Sequence, residues 1–152
     1  MVLENYNVNG ENMSKITIPE IQEILDAELP MVNILGCAVE DVGEGRATVR
    51  MAFKPELIRP GGTIAGPATM ALADFAMYVV VLSLVGRVEL AVTTNLNINF
   101  LRKPAQEDMI AKGRILKRGK RLCVVEVDLY SAGNEEDLVA HVTGTYSIPP
   151  TA

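Results

Sequence analysis

Residues 66–85 read GPATMALADFAMYVVVLSLV, and Asp74 is the single charged residue among them. A helix built from this run has no polar face, so it must be covered on all sides. Pro67 suits a first helical turn, where its missing N–H costs nothing. Asp74 interrupts the run, and the clean apolar stretch that follows, Phe75 to Leu82, is far too short to cross a bilayer. The stretch therefore reads as the core helix of a globular domain, with no membrane as partner.

The flanking sequence supplies the cover. Ahead of the helix, Leu35–Asp41 and Arg46–Phe53 read as strands joined by the turn Val42-Gly43-Glu44-Gly45. In the second, Ala47, Val49, Met51 and Phe53 alternate with Arg46, Thr48 and Arg50, which marks one buried face. Behind the helix, Leu90–Leu101, Met109–Lys117, Arg121–Ser131 and Leu138–Ile148 are also extended. In the first of these, Val92, Thr94, Leu96, Ile98 and Phe100 are assigned to one face, and Thr93, Asn95, Asn97 and Asn99 to the other. Gly133-Asn134-Glu135 makes a hairpin-like connection. Short loops favour antiparallel pairing of the last three strands. Pro19–Glu28 is a short helix capped by Thr17, with Ile21, Ile24 and Leu25 on one face.

The expected architecture is α+β: one long central helix wrapped by a curved antiparallel sheet of about five to six strands. Residues 1–17 read as a loosely ordered lead-in and 18–152 as a single domain. Such a sheet leaves edges and a helix flank uncovered, which invites a second copy of the chain.

The 152 residues are enough for one core without staples, and 49% are hydrophobic, which excludes a disordered chain. The formal net charge of -5 argues against a nucleic-acid partner. Cys37 and Cys123 form no CxxC or Cys/His cluster, so no metal site is expected, and two buried free thiols fit a reducing cytoplasm. The first residues lack the basic-then-apolar pattern of a signal peptide.

Three features carry chemistry. Asp74 sits among Ala71, Leu72, Ala73, Phe75, Ala76 and Met77, where a carboxylate needs a partner or a task. The turn Gly61-Gly62-Thr63-Ile64-Ala65-Gly66-Pro67 brings small residues to the helix start, where backbone can approach a ligand closely. Free N–H groups there carry partial positive charge and can hold an oxyanion. The run Lys117-Arg118-Gly119-Lys120-Arg121 concentrates positive charge in an acidic chain, as a phosphate-bearing ligand requires. His141, the one histidine, lies in a strand with no nucleophile motif to serve.

Taken together, GlyThrIleAlaGlyPro at 62–67, MetAlaLeuAlaAsp at 70–74, ThrThrAsnLeuAsnIleAsnPheLeuArgLysPro at 93–104 and GlyArgIleLeuLysArgGlyLysArgLeuCysValValGluVal at 113–127 resemble the PaaI-like hot-dog acyl-CoA thioesterases. The resemblance spans roughly residues 30–148. It implies hydrolysis of a small, medium or aryl acyl-CoA to the free acid and CoA. Asp74 matches the acidic catalytic residue, acting as nucleophile or general base. Gly66 matches the glycine whose N–H polarises the thioester carbonyl, and Thr93 falls where some members place a hydroxyl that positions water. Arg59, Gly62, Asn97, Arg102, Lys103, Lys117, Arg118 and Lys120 are the candidates for substrate contacts, the basic ones for the CoA phosphates.

No cofactor is implied, because CoA is part of the substrate. The partners implied are acyl-CoA and copies of the same chain, a dimer at least and a tetramer by pairing. The chain departs from the family's frequent Asn-x-x-Gly-x-x-His-Gly-Gly pattern at Arg59, Ala65 and Pro67. That departure keeps a non-catalytic acyl-CoA binder as the alternative.

Overall fold

The computed structural model describes residues 13–150. Helix α1 (Ile18–Glu28) opens the chain, held by reciprocal hydrogen bonds between Thr17 and Glu20. A short helix α2 (Pro30–Ile34) follows. Then come β1 (Cys37–Gly43), β2 (Arg46–Met51), the long helix α3 (Gly66–Val85), β3 (Val92–Phe100), β4 (Met109–Arg118), β5 (Leu122–Ser131) and β6 (Ala140–Ser147). The order across the sheet is β1-β2-β4-β5-β6-β3, with every neighbouring pair antiparallel. The six strands curve around α3, which touches all of them.

The periodicity accounts for this arrangement. Along β5, Cys123, Val125, Val127 and Leu129 are buried against the helix; along β6, Ala140, Val142, Gly144 and Tyr146 are. Most of α3 is buried, from Ala68 to Leu84. It is long and apolar enough to span a membrane, yet the sheet covers it. Gly144 permits the close approach: an added Cβ there would run into the Met77 side chain of α3 and lie 2.7 Å from the Asn95 carbonyl oxygen of β3. Ser83, buried in α3, donates to the Val80 carbonyl at 2.6 Å and accepts from the Gly45 N–H at 2.9 Å, which pins the β1–β2 turn to the helix. Cys37 and Cys123 are free and buried.

Two expectations change. Residues 1–12 of the proposed lead-in lie outside the described residues, but its last part is already packed. Ile16 is buried, and the Lys15 N–H donates to the Ser83 carbonyl at 2.8 Å. The second change concerns β3. Its register against β6 shifts between Thr93 and Asn95, leaving Thr94 as an extra residue. Thr93 thus pairs with Tyr146, while Leu96, Ile98 and Phe100 pair with Gly144, Val142 and Ala140. The bulge therefore turns Thr93 toward the helix, onto the face of Leu96 and Ile98. Strict alternation assigned it to the opposite face.

The sheet leaves one flank of α3 open. Gly66, Pro67, Met70, Ala71 and Asp74, spaced three or four apart, are the partly or fully exposed positions of its first half. Edge strand β3 lies on the same side and exposes Val92 (58%) and Phe100 (54%). An apolar edge beside an uncovered helix flank has the makings of an interface.

Candidate active site

Asp74 sits on this flank, half-buried, in the third turn of α3. Its Oδ1 accepts hydrogen bonds from the Thr93 hydroxyl at 2.6 Å and the Tyr146 hydroxyl at 2.9 Å. The Tyr146 oxygen is also 3.1 Å from the Asp74 carbonyl oxygen, so its proton is held against this one residue. Burial, and then the negative charge of Asp74, push the Tyr146 phenol far up, which keeps it a donor. Both side-chain donors go to Oδ1. Oδ2 has no hydrogen bond among the described residues and is the oxygen left for chemistry.

Tyr146 is the residue that sequence reading missed. The signal was present: Ala140, Val142, Gly144 and Tyr146 share one face of the last strand, and a buried phenol needs a partner. Tyr146→Phe keeps the ring packed beside Tyr78 (centroids 6.1 Å apart) and removes only the donor. A hydrogen bond to a charged group supports an expected loss of about tenfold or more in kcat with KM little changed. Steady-state kinetics check this, and a kcat within about twofold of wild type would reduce Tyr146 to packing.

Asp74 opens into a pocket of about 180 Å³. Its walls are largely apolar, with Ile24, Leu29 and Val32 from α1–α2 facing Phe75 and Tyr78 of α3. Gly66 lies in a different pocket, of about 430 Å³, with Arg59, Phe100, Arg102 and Lys103. As first residue of α3, Gly66 has an N–H with no acceptor in the helix, and Ala65 before it supplies no side-chain cap. Eight residues of helix separate Gly66 from Asp74, roughly 12 Å at about 1.5 Å per residue.

The remaining candidates scatter. Gly62 stands in the turn at the same end as Gly66, where its carbonyl accepts from the Gln106 amide at 2.7 Å. Asn97 pairs with Thr143 and is exposed on the outer face of the sheet, away from Asp74. Arg118 and Lys120 line a third cleft with Lys15, Arg121 and Val85, at the far end of α3 from Gly66; Lys117 is exposed on β4 nearby.

His141 also faces outward and bonds Glu126 at 2.6 Å. With Asp128 these form the grouping of metal-ligand type among the described residues, their ligand atoms within 4.8 Å of one another. The Arg114 guanidinium already pairs with Glu126 there.

A carboxylate with one free oxygen, held by two hydroxyls at an apolar pocket, fits a base or nucleophile. A free helix N-terminal N–H fits an oxyanion donor. Residues 61–137 match the thioesterase superfamily. The chain is 30% identical over 133 residues to a Saccharolobus solfataricus protein provisionally named an esterase, covering 88% of this chain and 86% of that one. A Silicibacter crystal structure with a provisional thioesterase name superposes with a TM-score of 0.81 at 36% identity, over 96% of this chain and all of the other. A variant of the phenylacetic acid degradation protein PaaI from Thermus thermophilus gives 0.70 at 25% identity, over 79% of this chain and 99% of that one. The chain belongs to the thioesterase superfamily. Its long helix in a curved six-stranded sheet is the hot-dog fold, in a PaaI-like form.

Proposed function

We propose that the protein hydrolyses an acyl-CoA thioester, and that its working unit is a homodimer with sites shared between protomers. The observation that carries this reading is the Asp74 carboxylate, fixed at Oδ1 by Thr93 and Tyr146, with no hydrogen bond to Oδ2 among the described residues, on the wall of a largely apolar pocket. The thioester carbonyl oxygen accepts from the Gly66 N–H. Asp74 Oδ2 takes a proton from water as the water oxygen bonds the carbonyl carbon, or attacks that carbon itself. The oxyanion collapses, the C–S bond breaks and CoA leaves as the thiolate. An anhydride formed by direct attack is then opened by water.

The 12 Å between Gly66 and Asp74 is why two chains are needed. Reacting atoms must lie within about 3 to 3.5 Å of their catalytic groups. Two α3 helices packed antiparallel across a two-fold axis near Met70 would bring Gly66 of one chain opposite Asp74 of the other. The uncovered flank of α3 and the apolar β3 edge supply the surface.

A panel of acyl-CoAs read by thiol release tests the activity. Saturable acyl-CoA binding with no thiol released across the panel would assign the protein as a binder instead.

The basic residues around Gly66 serve the CoA phosphates in this reading. Lys103→Glu is expected to raise KM for acyl-CoA about tenfold while leaving KM for the matching N-acetylcysteamine thioester near wild type. Equal effects on both substrates would remove Lys103 from phosphate binding. The same pair of substrates applied to Lys120→Glu decides whether the cleft holding Arg118 and Lys120 also meets the nucleotide.

A further inference from the structure

The two pockets on the open flank of α3 have opposite charge. The Asp74 pocket is lined by three carboxylates, Glu28, Asp74 and Glu89, and by no Lys, Arg or His. The Gly66 pocket is lined by Arg59, Arg102 and Lys103, and by no Asp or Glu. We propose that this polarity both orients and selects the substrate: the acyl group occupies the Asp74 pocket and must be uncharged, and Glu28 and Glu89 reject acyl groups that end in a carboxylate. The inference rests on the acyl-CoA reading and names the acyl class for that same site.

Tyr78 lies one turn beyond Asp74 on the same stripe of α3, about 6 Å along the axis. Its hydroxyl donates to the Glu89 carbonyl at 3.0 Å, so the chain segment carrying Glu89 closes that end of the pocket. Glu28 approaches from α1 and makes no ion pair among the described residues. Burial pushes the Tyr78 phenol up to about 12, and the charges of Glu89 and then Glu28 add to the push. The field of both carboxylates therefore reaches the phenol.

Arg87 pairs with Glu89 at 2.7 Å, but it is shared with Glu23 at 2.7 Å and does not line the pocket. A terminal carboxylate carried to Tyr78 would find no cation lining the pocket and would face the unpaired, solvent-exposed carboxylate of Glu28 beside the Arg87-paired one of Glu89. A neutral chain would meet Leu29, Val32 and Phe75 instead. Phosphates are excluded from this pocket for the same reason, which leaves the basic pocket for the nucleotide end.

The test compares kcat/KM for substrates of equal carbon number: butyryl-CoA against succinyl-CoA, and hexanoyl-CoA against adipoyl-CoA. Wild type should prefer the neutral member of each pair by roughly tenfold or more. The double variant Glu28→Gln, Glu89→Gln should shrink that preference several-fold, and Glu28→Lys should shrink it further. Thermal melting of the same variants shows that they fold.

If wild type shows no preference, or the ratio is unmoved in the variants while hexanoyl-CoA is still cleaved, the charge selection falls and the hydrolase reading stands. If wild type cleaves none of these and no member of the wider acyl-CoA panel, the hydrolase reading falls. Calorimetric affinities for the non-hydrolysable thioether analogues of each pair then decide the selection, by the same ratios.

Discussion

Asp74→Asn should fold normally and lose hydrolysis by about 100-fold or more, the usual cost of removing a positioned base or nucleophile. The substitution is nearly isosteric. The Asn side-chain oxygen can still accept from Thr93 and Tyr146, which today bond Oδ1. The amide nitrogen then takes the place of Oδ2, the atom free for chemistry, and it is neither basic nor nucleophilic. Stability should therefore hold while turnover collapses, which separates a catalytic loss from a folding loss. Thermal melting and thiol release on the best substrate make the comparison. Near wild-type turnover would leave Asp74 as a structural acceptor and end the proposed mechanism.

The second large effect should appear with Gly66→Pro and reappear as rescue in mixtures. Proline removes the N–H at a first helical position, where its ring is tolerated. Pro67 behind it disfavours helical backbone at residue 66 once a Cβ is present, so thermal melting accompanies the assay. Ala65 ahead of residue 66 is already extended (φ -64°, ψ 141°), as a residue preceding proline must be. The ring would touch Phe100, whose tip would lie 3.3 Å from an added Cβ; Phe100 belongs to the β3 edge assigned to the dimer surface, so sizing of the variant accompanies the kinetics. Losing one oxyanion donor costs on the order of 100- to 1000-fold in kcat. Gly66→Pro and Asp74→Asn, each inactive alone, should regain activity after subunit exchange, because a heterodimer holds one intact site with Gly66 from one chain and Asp74 from the other. Exchanged mixtures that stay inactive, or an active monomer on sizing, would refute the shared site.

The fold was readable because its decisive segment is extreme. A 20-residue helix with Asp74 as its one charge leaves few architectures. Alternation in the second strand named the buried face of β2. What escaped were features set by other parts of the chain. Helix α2 is five residues long, too short for a periodic signal. The direction of Thr93 depends on a bulge that no residue pattern announces. The pocket at Asp74 is walled by α1–α2 against α3, elements far apart in sequence.

The basic residues are near neighbours in sequence and not in space. Arg102, Lys103, Lys117, Arg118 and Lys120 look like one patch in sequence. Between the two groups runs β4, ten residues and about 30 Å of extended chain, which carries them to opposite ends of the domain.

The extra residue in β3 also bears on how this site is traced through lineages. Thr94 acts as a one-position offset, so a relative of the same length with an unbulged strand would keep the ladder from Asn95 onward, pair its residue at position 94 with Tyr146 and turn its residue at position 93 to the outside. Two aligned sequences can then share a threonine in one column while only one of them offers its hydroxyl to the carboxylate. The bulge, and not the threonine alone, therefore decides whether the hydroxyl reaches the carboxylate, and straightening the strand would lose that contact without any substitution at all.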